Sequence, residues 1–459
     1  MRERPAGSGR PDLPELCAVA MAEAAGGEAV EAFAQEDTHV QVRARAGEVE
    51  SLSFSESRGV GVRVIVDERL GYAYAADPEP AEVAELVRVA REGARFAEPD
   101  PGNVLVRIGP ADPMAGLFDE AQATVTTDRK VAVALELERL ATSRRPEVRK
   151  VESVGYGDAR SRVAMASTAM DGGSVEFSRT DCWASATCLA EGEGQTESGW
   201  SFGLARGLAG LDVAAVADEA ANRAARLLGG RKPASARLPV VLDPAAAAAF
   251  LSVLSGALSA EAVQKGRSPL AMLVDQAVGS GAVTLVDDGR LEGAPATAPF
   301  DGEGVATGRT TLVEGGVLRG FLHNAYTAAR AGAGSTGNAG RGSYRSVPGV
   351  APTNLHLSPS DQDAEALLRR AGRAVYVQDV SGLHSGASSI SGVFSVGATG
   401  LRVEGGALGA PLREMTIAST LLDVLGAIVA VASDLRFFPF GAGLGAPTVL
   451  VGEMTVGGT

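Results

Sequence analysis

Between Val40 and Ala75 the chain alternates apolar and polar residues in short runs separated by turn-forming breaks, and this pattern constrains the fold more than any other. Val40, Val42 and Ala44 point one way while Gln41, Arg43 and Arg45 point the other, the period of two of a half-buried strand. Ala46-Gly47 offers a turn into residues 48–55, Arg58-Gly59 a second break before residues 60–66, and residues 70–75 supply another strand. Four short strands with links this short predict an antiparallel meander. A helical stretch near residues 14–34 precedes them. A helix opening at Asp77-Pro78 follows, with Val83, Leu86, Val87, Ala90 and Ala94 at helical spacing until Pro99.

Beyond the linker Pro99-Asp100-Pro101, Thr127-Asp128 caps a helix carrying Val133, Leu137 and Leu140. Strand-forming pieces over 148–155, 163–170 and 175–189 come next, then a helix over 213–228. Leu238 to Asp243 reads as a buried strand, and Pro244 opens an alanine-rich helix through Phe250, Leu251, Leu254 and Leu258. After it the chain breaks into short strands. Two carry nearly the same hairpin text, Val313-Glu314-Gly315-Gly316-Val317-Leu318 and Val403-Glu404-Gly405-Gly406-Ala407-Leu408, where paired glycines supply the positive φ of a tight turn. The apolar run 417–431 contains Asp423 and Gly426, too short and too polar for a membrane span, and reads as a buried helix.

The expected fold class is α+β. An arm over 1–13 without a signal peptide's apolar core reads as disordered; an antiparallel sheet with helices occupies 14–100, and a middle α/β segment 115–232. A larger glycine-rich, β-dominated domain occupies 237–458, in line with 58 glycines scattered among apolar runs of the 459-residue chain. A net charge of −14 argues against binding a phosphate backbone, so nucleic acid is not an expected partner. The basic cluster Arg144, Arg145, Arg149 and Lys150 is interleaved with acidic residues and reads as a solvated face. Cys17, Cys182 and Cys188 form no disulfide framework and suit a reducing cytoplasm; Cys182 and Cys188 read as core thiols.

Zinc hydrolysis needs three protein ligands, an open position for water and a nearby carboxylate, usually starting from two histidines on one helix face. The four histidines, His39, His323, His356 and His384, form no such pair. A dispersed site from His323, His356 and His384 stays open as a minor alternative, and no Gly-x-Ser-x-Gly elbow in a strand-turn-helix context is found. The turn Asp301-Gly302-Glu303-Gly304 can be read two ways. Its carboxylates can bind a cation or a peptide amino terminus, or they can be turn formers with Arg309 neutralising one of them. Likewise Asn338 and Arg341, in Gly337-Asn338-Ala339-Gly340-Arg341, can hold an extended peptide or belong to a plain loop. Asp301, Glu303, Gly304, Arg309, Asn338 and Arg341 are thus the candidate substrate-groove residues.

The block Pro299-Phe300-Asp301-Gly302-Glu303-Gly304, with 335–341 and Pro352-Thr353-Asn354-Leu355, resembles the C-terminal signature of the TldD/PmbA family of metallopeptidases. Further pieces in family order include Gly47-Glu48-Val49-Glu50, Gly59-Val60-Gly61-Val62-Arg63, Ser268-Pro269-Leu270, Ser391-Gly392-Val393-Phe394-Ser395 and Ser433-Asp434-Leu435. TldD-like members carry His-Glu-x-x-x-His on a mid-chain helix and a later cysteine. Here the corresponding helix, 250–258, has neither His nor Glu, and 433–447 has no cysteine. The chain is therefore similar to the PmbA (TldE) branch, and no catalytic or metal-binding residue can be carried over. The resemblance implies a cytoplasmic heterodimer with a TldD-like subunit that holds the zinc and cleaves small or unfolded peptides. A standalone modulator, in keeping with the family's association with DNA gyrase, is the competing expectation.

Overall fold

The computed structural model of the protein describes residues 10–107, 112–170, 173–192, 194–440 and 443–458. The arm expected over 1–13 lies outside the described residues as far as Gly9. The first half builds one antiparallel six-stranded sheet. Helix α1 (Leu13–Ala22) leads into β1 (Ala29–Arg45), β2 (Glu48–Val66), β3 (Arg69–Ala76) and α2 (Pro80–Ala94). The short α3 (Glu120–Ala123) and α4 (Thr127–Ser143) precede β4 (Val148–Ser167), β5 (Val175–Gly192), β6 (Gln195–Ala205) and α5 (Val213–Ala225). The strand order β3-β2-β1-β4-β5-β6 joins the segments 14–100 and 115–232 through the β1–β4 pairing, so they share one sheet.

Register explains what the alternation hides. Val30, Ala32, Ala34, Val42 and Ala44 of β1 lie on one face with Val60, Val62 and Val64 of β2, and there they pack against all four long helices. The opposite face carries Glu31, Phe33, Arg63, Val163 and Met165 and meets the C-terminal domain at Phe300 and Tyr344. Both faces are therefore buried where β1 and β2 run through residues 30–34 and 58–65.

Three expectations need correction. The helix expected through residue 34 stops at Ala22, because both-face burial leaves 29–34 (AVEAFA) apolar apart from the paired Glu31, with no polar alternation to mark the strand. The four-strand meander is three longer strands. Gly59 does not break β2; a Cβ there would come within 2.3 Å of the Tyr344 ring, and one at Gly61 within 2.2 Å of the Tyr344 carbonyl, so these glycines admit a close approach inside a strand. The pieces 148–155 and 163–170 are likewise one strand, β4.

The C-terminal domain starts with β7 (Ala236–Leu242), α6 (Pro244–Ala257), α7 (Ala260–Gln264), β8 (Leu285–Asp288), β9 (Arg309–Glu314) and β10 (Val317–Leu318). Then come α8 (Ala325–Ala331), β11 (Ala339–Gly340), β12 (Gly349–Val350), β13 (Asn354–Leu357), α9 (Ala364–Ala371) and β14 (Arg373–Ser381). The chain continues through α10 (Leu383–Gly386), β15 (Val393–Glu404), β16 (Ala407–Thr420), α11 (Leu421–Ala427) and β17 (Ile428–Val431) to β18 (Arg436–Phe438), β19 (Gly443–Ala446) and β20 (Val449–Gly457). Two six-stranded sheets result, β10-β9-β8-β13-β19-β18 and β16-β15-β14-β7-β20-β17, and the second closes on itself through β16–β20. Helix α6 packs against strands of both sheets in the main core. Both Gly-Gly hairpins form, with φ of 53° and 84° at Gly315-Gly316 and 58° and 80° at Gly405-Gly406. The helix expected over 417–431 is strand, one helical segment, then strand. Ile417 and Ala418 pair with β20, Thr420 caps α11 by accepting from the Asp423 N–H at 3.0 Å, and Ile428 to Val431 return to β20. The whole is an α+β fold. No described helix is long and apolar enough to cross a membrane.

Candidate functional site

The candidate residues at 301–304 and 338–341 gather at the joint between the first sheet and the C-terminal domain. Asp301 is buried. Its Oδ1 accepts from the Glu303 and Val305 N–H groups at 2.9 and 3.0 Å, and its Oδ2 from the Ala339 N–H at 2.8 Å. Gly304, at φ 77°, turns the chain so that these donors converge. Glu303 reaches in two directions: Oε2 accepts from the Ala325 N–H at the start of α8 (2.7 Å), and Oε1 from Arg63 of β2 (3.1 Å). Arg63 also donates to Glu31 of β1 at 2.6 Å, and the other oxygen of Glu31 accepts from Arg341. Arg341 then donates to the Gly302 carbonyl at 2.6 Å and lies over the Phe33 ring.

Carboxylate and guanidinium thus alternate through Glu303, Arg63, Glu31 and Arg341, with each carboxylate oxygen engaged. Arg63, Glu31, Glu303 and Arg341 have side chains no more than 7% exposed. Ion pairs this deep gain from low dielectric because every carboxylate oxygen is paired, although the buried Arg63 Nε has no hydrogen-bond partner among the described residues; each pair is costly to break. Burial raises the pKa of Glu303, countered by Arg63. Burial, followed by the Glu303 charge, pushes Asp301 up to about 7 against its three N–H donors.

This geometry yields a prediction. Asp301→Asn turns one carboxylate oxygen into an N–H₂ facing a backbone N–H, an unsatisfied contact expected to cost about 1–3 kcal/mol in urea denaturation. The pH dependence has a definite sign. A carboxyl whose folded pKa lies above its unfolded value contributes stability at low pH that is lost as pH rises through the folded value, here about 7. The Asp301 contribution to stability should fall between about pH 4 and pH 7, so the stability difference between wild type and Asp301→Asn should shrink over that range.

Asn338 donates to Asp287 of β8 at 2.7 Å and accepts from Thr336 at 2.7 Å. Asp287 also accepts from the N–H and hydroxyl of Thr353. Asn354, fully buried, donates to the Asp288 carbonyl and accepts from the Ala296 N–H. The Thr353-Asn354 text therefore clips two loops to β8. Arg309 does not join the cluster. It is exposed and lies 3.8 Å from Asp288, because strand β9 directs it to the sheet's rim; the cation neutralising Glu303 is Arg63. Glu31, Arg63 and Asp287 were not among the candidate residues, although two of them leave a signal: single charges inside apolar strands that must find buried partners.

Helix α6 contains residues 250–257, most of the stretch expected to correspond to the metal-bearing helix of TldD-like members. Asp243 caps it by accepting from the Ala245 N–H at 2.9 Å, and Phe250, Leu251, Leu254 and Ala257 are buried. Its side chains line an apolar cavity of about 50 Å³ with Leu242, Leu285, Leu357, Val424 and Ile428. Nothing in that lining ligates zinc, so these residues do not fit the metal. The dispersed histidines do not assemble one either: among the described residues no group of three or more His, Cys, Asp or Glu is placed to hold a metal ion. His356 is buried in β13 with Nδ1 2.8 Å from the Asn354 carbonyl, and His384 sits on the short α10. The three cysteines are buried, and loss of solvation pushes each thiol up to about 12. Within the expected basic face, Arg144 pairs with Asp218 and Lys150 with Glu191.

Comparison with known proteins gives this architecture its context. Residues 30–94 match the model of the PmbA/TldA metallopeptidase domain 1, 120–228 that of the central domain and 235–458 that of the C-terminal domain. The metalloprotease PmbA of Escherichia coli O157:H7 is 27% identical over 455 residues, covering 97% of this chain and 96% of that protein. A Thermotoga maritima MSB8 protein named as a modulator of a DNA gyrase superposes with a TM-score of 0.87 at 28% identity, over 96% of this chain and 98% of that one. TldE from Thermococcus kodakarensis shares the fold, with a TM-score of 0.88 at 20% identity over 96% and 99% of the two chains. With all three family models matched in order along the chain, the protein belongs to the PmbA/TldD metallopeptidase family.

Proposed function

We propose that this chain is the metal-free subunit of a cytoplasmic two-chain peptidase of the TldD/TldE kind, which cleaves small or unfolded peptides. The observation that carries the reading is α6. Where TldD-like members place His-Glu-x-x-x-His, this helix presents Phe250, Leu251 and Leu254 to an apolar core. A buried apolar helix can support an enclosure but cannot bind zinc or activate water. The metal and the general base therefore belong to a TldD-like partner, and this chain contributes walls that keep the reacting peptide from bulk solvent.

The test is co-expression with a chain carrying the His-Glu-x-x-x-His motif. The pair is expected to co-purify and to degrade an unstructured peptide, a chelator should abolish cleavage, and this chain alone should show none. Full-rate cleavage by this chain alone, or stoichiometric zinc in it by elemental analysis, would overturn the reading. The name of the Thermotoga relative favours a second reading, a modulator that works without peptidase activity. A genome lacking any chain with the motif would support that one.

A further inference from the structure

The distal half of β2 is an open sheet edge. Strand β3 covers the outer side of β2 only from Gly59 to Val66, whereas β2 stays paired with β1 on its inner side down to Glu48. Among the described residues no strand lies outside 48–57. A row of backbone N–H and C=O groups there has no sheet partner, and such edges are templates for another strand.

The side chains along this edge are not those of a solvated rim. Phe54 lies opposite Val40, Leu52 opposite Val42 and, after a bulge, Val49 opposite Ala44, which puts all three on the face that α4 covers farther in. They are 49%, 46% and 41% exposed and form an apolar stripe beyond the helix. Glu48, Glu50 and Glu56 flank it. Among the described residues Glu50 pairs with Arg45 at 3.3 Å and Glu56 with Arg10 at 3.0 Å, exposed pairs that exchange readily. Meanwhile Glu138 of α4 accepts from the Ala46 and Gly47 N–H groups at 2.6 and 3.0 Å, anchoring the hairpin turn and so the edge.

Charge selects the occupant. The antiparallel self-pairing that sets Leu52 against Phe54 also sets Glu50 against Glu56 twice, between chains of net charge −14. A second copy is therefore disfavoured. A strand with apolar residues at alternate positions and Lys or Arg facing Glu50 and Glu56 satisfies stripe and charges together. Such fixed demands suit one dedicated strand better than peptides of varied sequence. We propose that the open edge of β2 receives a strand of the metal-bearing partner subunit, alternating apolar residues with Lys or Arg, by β-sheet augmentation. This proposal rests on the two-subunit reading above.

The test uses the tagged full chain co-expressed with the chain bearing His-Glu-x-x-x-His. Leu52→Lys/Phe54→Lys removes the apolar stripe, and Glu50→Lys/Glu56→Lys reverses the charge; all four positions are exposed, and if one variant fails to fold the other decides. Each is expected to keep the wild-type Tm while retaining about tenfold less partner. Partner recovery at the wild-type level by a folded variant overturns the edge proposal and leaves the two-subunit reading standing. Full recovery with loss of peptide cleavage assigns the edge to substrate and overturns it equally. If the wild-type chain itself recovers no such partner, the two-subunit reading falls, and this proposal with it.

Discussion

Arg63→Met is expected to lower the free energy of unfolding by about 3–5 kcal/mol, a large share of the about 5–15 kcal/mol that holds an ordinary domain folded. The reason lies in what the substitution leaves behind. Methionine fills most of the space, so cavity formation is a minor part of the cost. Glu303 and Glu31, however, lose the cation between them while both stay buried, and Glu303 is tied to α8 through the Ala325 N–H. Glu31 keeps Arg341. Glu303 keeps no cation, so the loss should shrink in acid, where protonation removes the uncompensated charge. Urea denaturation of both proteins at about pH 5 and pH 8 measures this. A triple variant with Glu31→Gln and Glu303→Gln added should recover part of the loss, since the buried charges go with their partner. Equal stability of Arg63→Met and wild type would mean that the network does not hold the two halves together.

Leu254→Glu is the second large effect. Leu254 is 4% exposed in α6, and a carboxylate there meets only apolar side chains such as Leu242, Leu285 and Leu357. Removing packing alone, as in Leu254→Ala, costs about 2–5 kcal/mol. An acid without a hydrogen-bond partner adds the cost of burying a polar or charged group, and the variant should be largely unfolded. Zinc should not restore it, because the cavity lining offers no His, Cys, Asp or Glu as a second ligand. Thermal melts of both variants with and without zinc check this. A zinc-dependent rise in the Tm of Leu254→Glu would show that α6 stands beside a usable metal site and would remove the main support for a metal-free subunit.

The first sheet shows how far patterning reaches. Around Val40 to Arg45 one face is half-solvated, so alternation is visible and the strand is legible. At 29–34 the same strand is sandwiched between helices and the C-terminal domain. Polarity no longer tracks the face there, and the text can be mistaken for helix. Gly59 misleads for a related reason: its reading as a break assumes local causes, whereas it makes room for Tyr344, far along the chain. The candidate site was legible to the same degree. Asp301, Glu303, Asn338 and Arg341 could be picked out as a group, but the choice between groove and joint needed their partners. Arg309 is a few residues from Glu303 in sequence, yet β9 carries it away, while Arg63 arrives from another sheet.

By itself the sequence determined the local and the compositional: the Gly-Gly hairpins, the proline-led α6, the α+β class and the lack of ligands at residues 250–258. These follow from backbone preferences and residue chemistry acting over a few positions. Tertiary structure alone decided that the segments 14–100 and 115–232 form one sheet, and that the acidic signature is a buried clasp whose cation comes from β2. It also decided that β2 outruns β3 and leaves an edge unpaired. Register and ion pairing depend on which distant residues burial brings together, and the energy of a buried charge is set by those neighbours rather than by its own position in the chain.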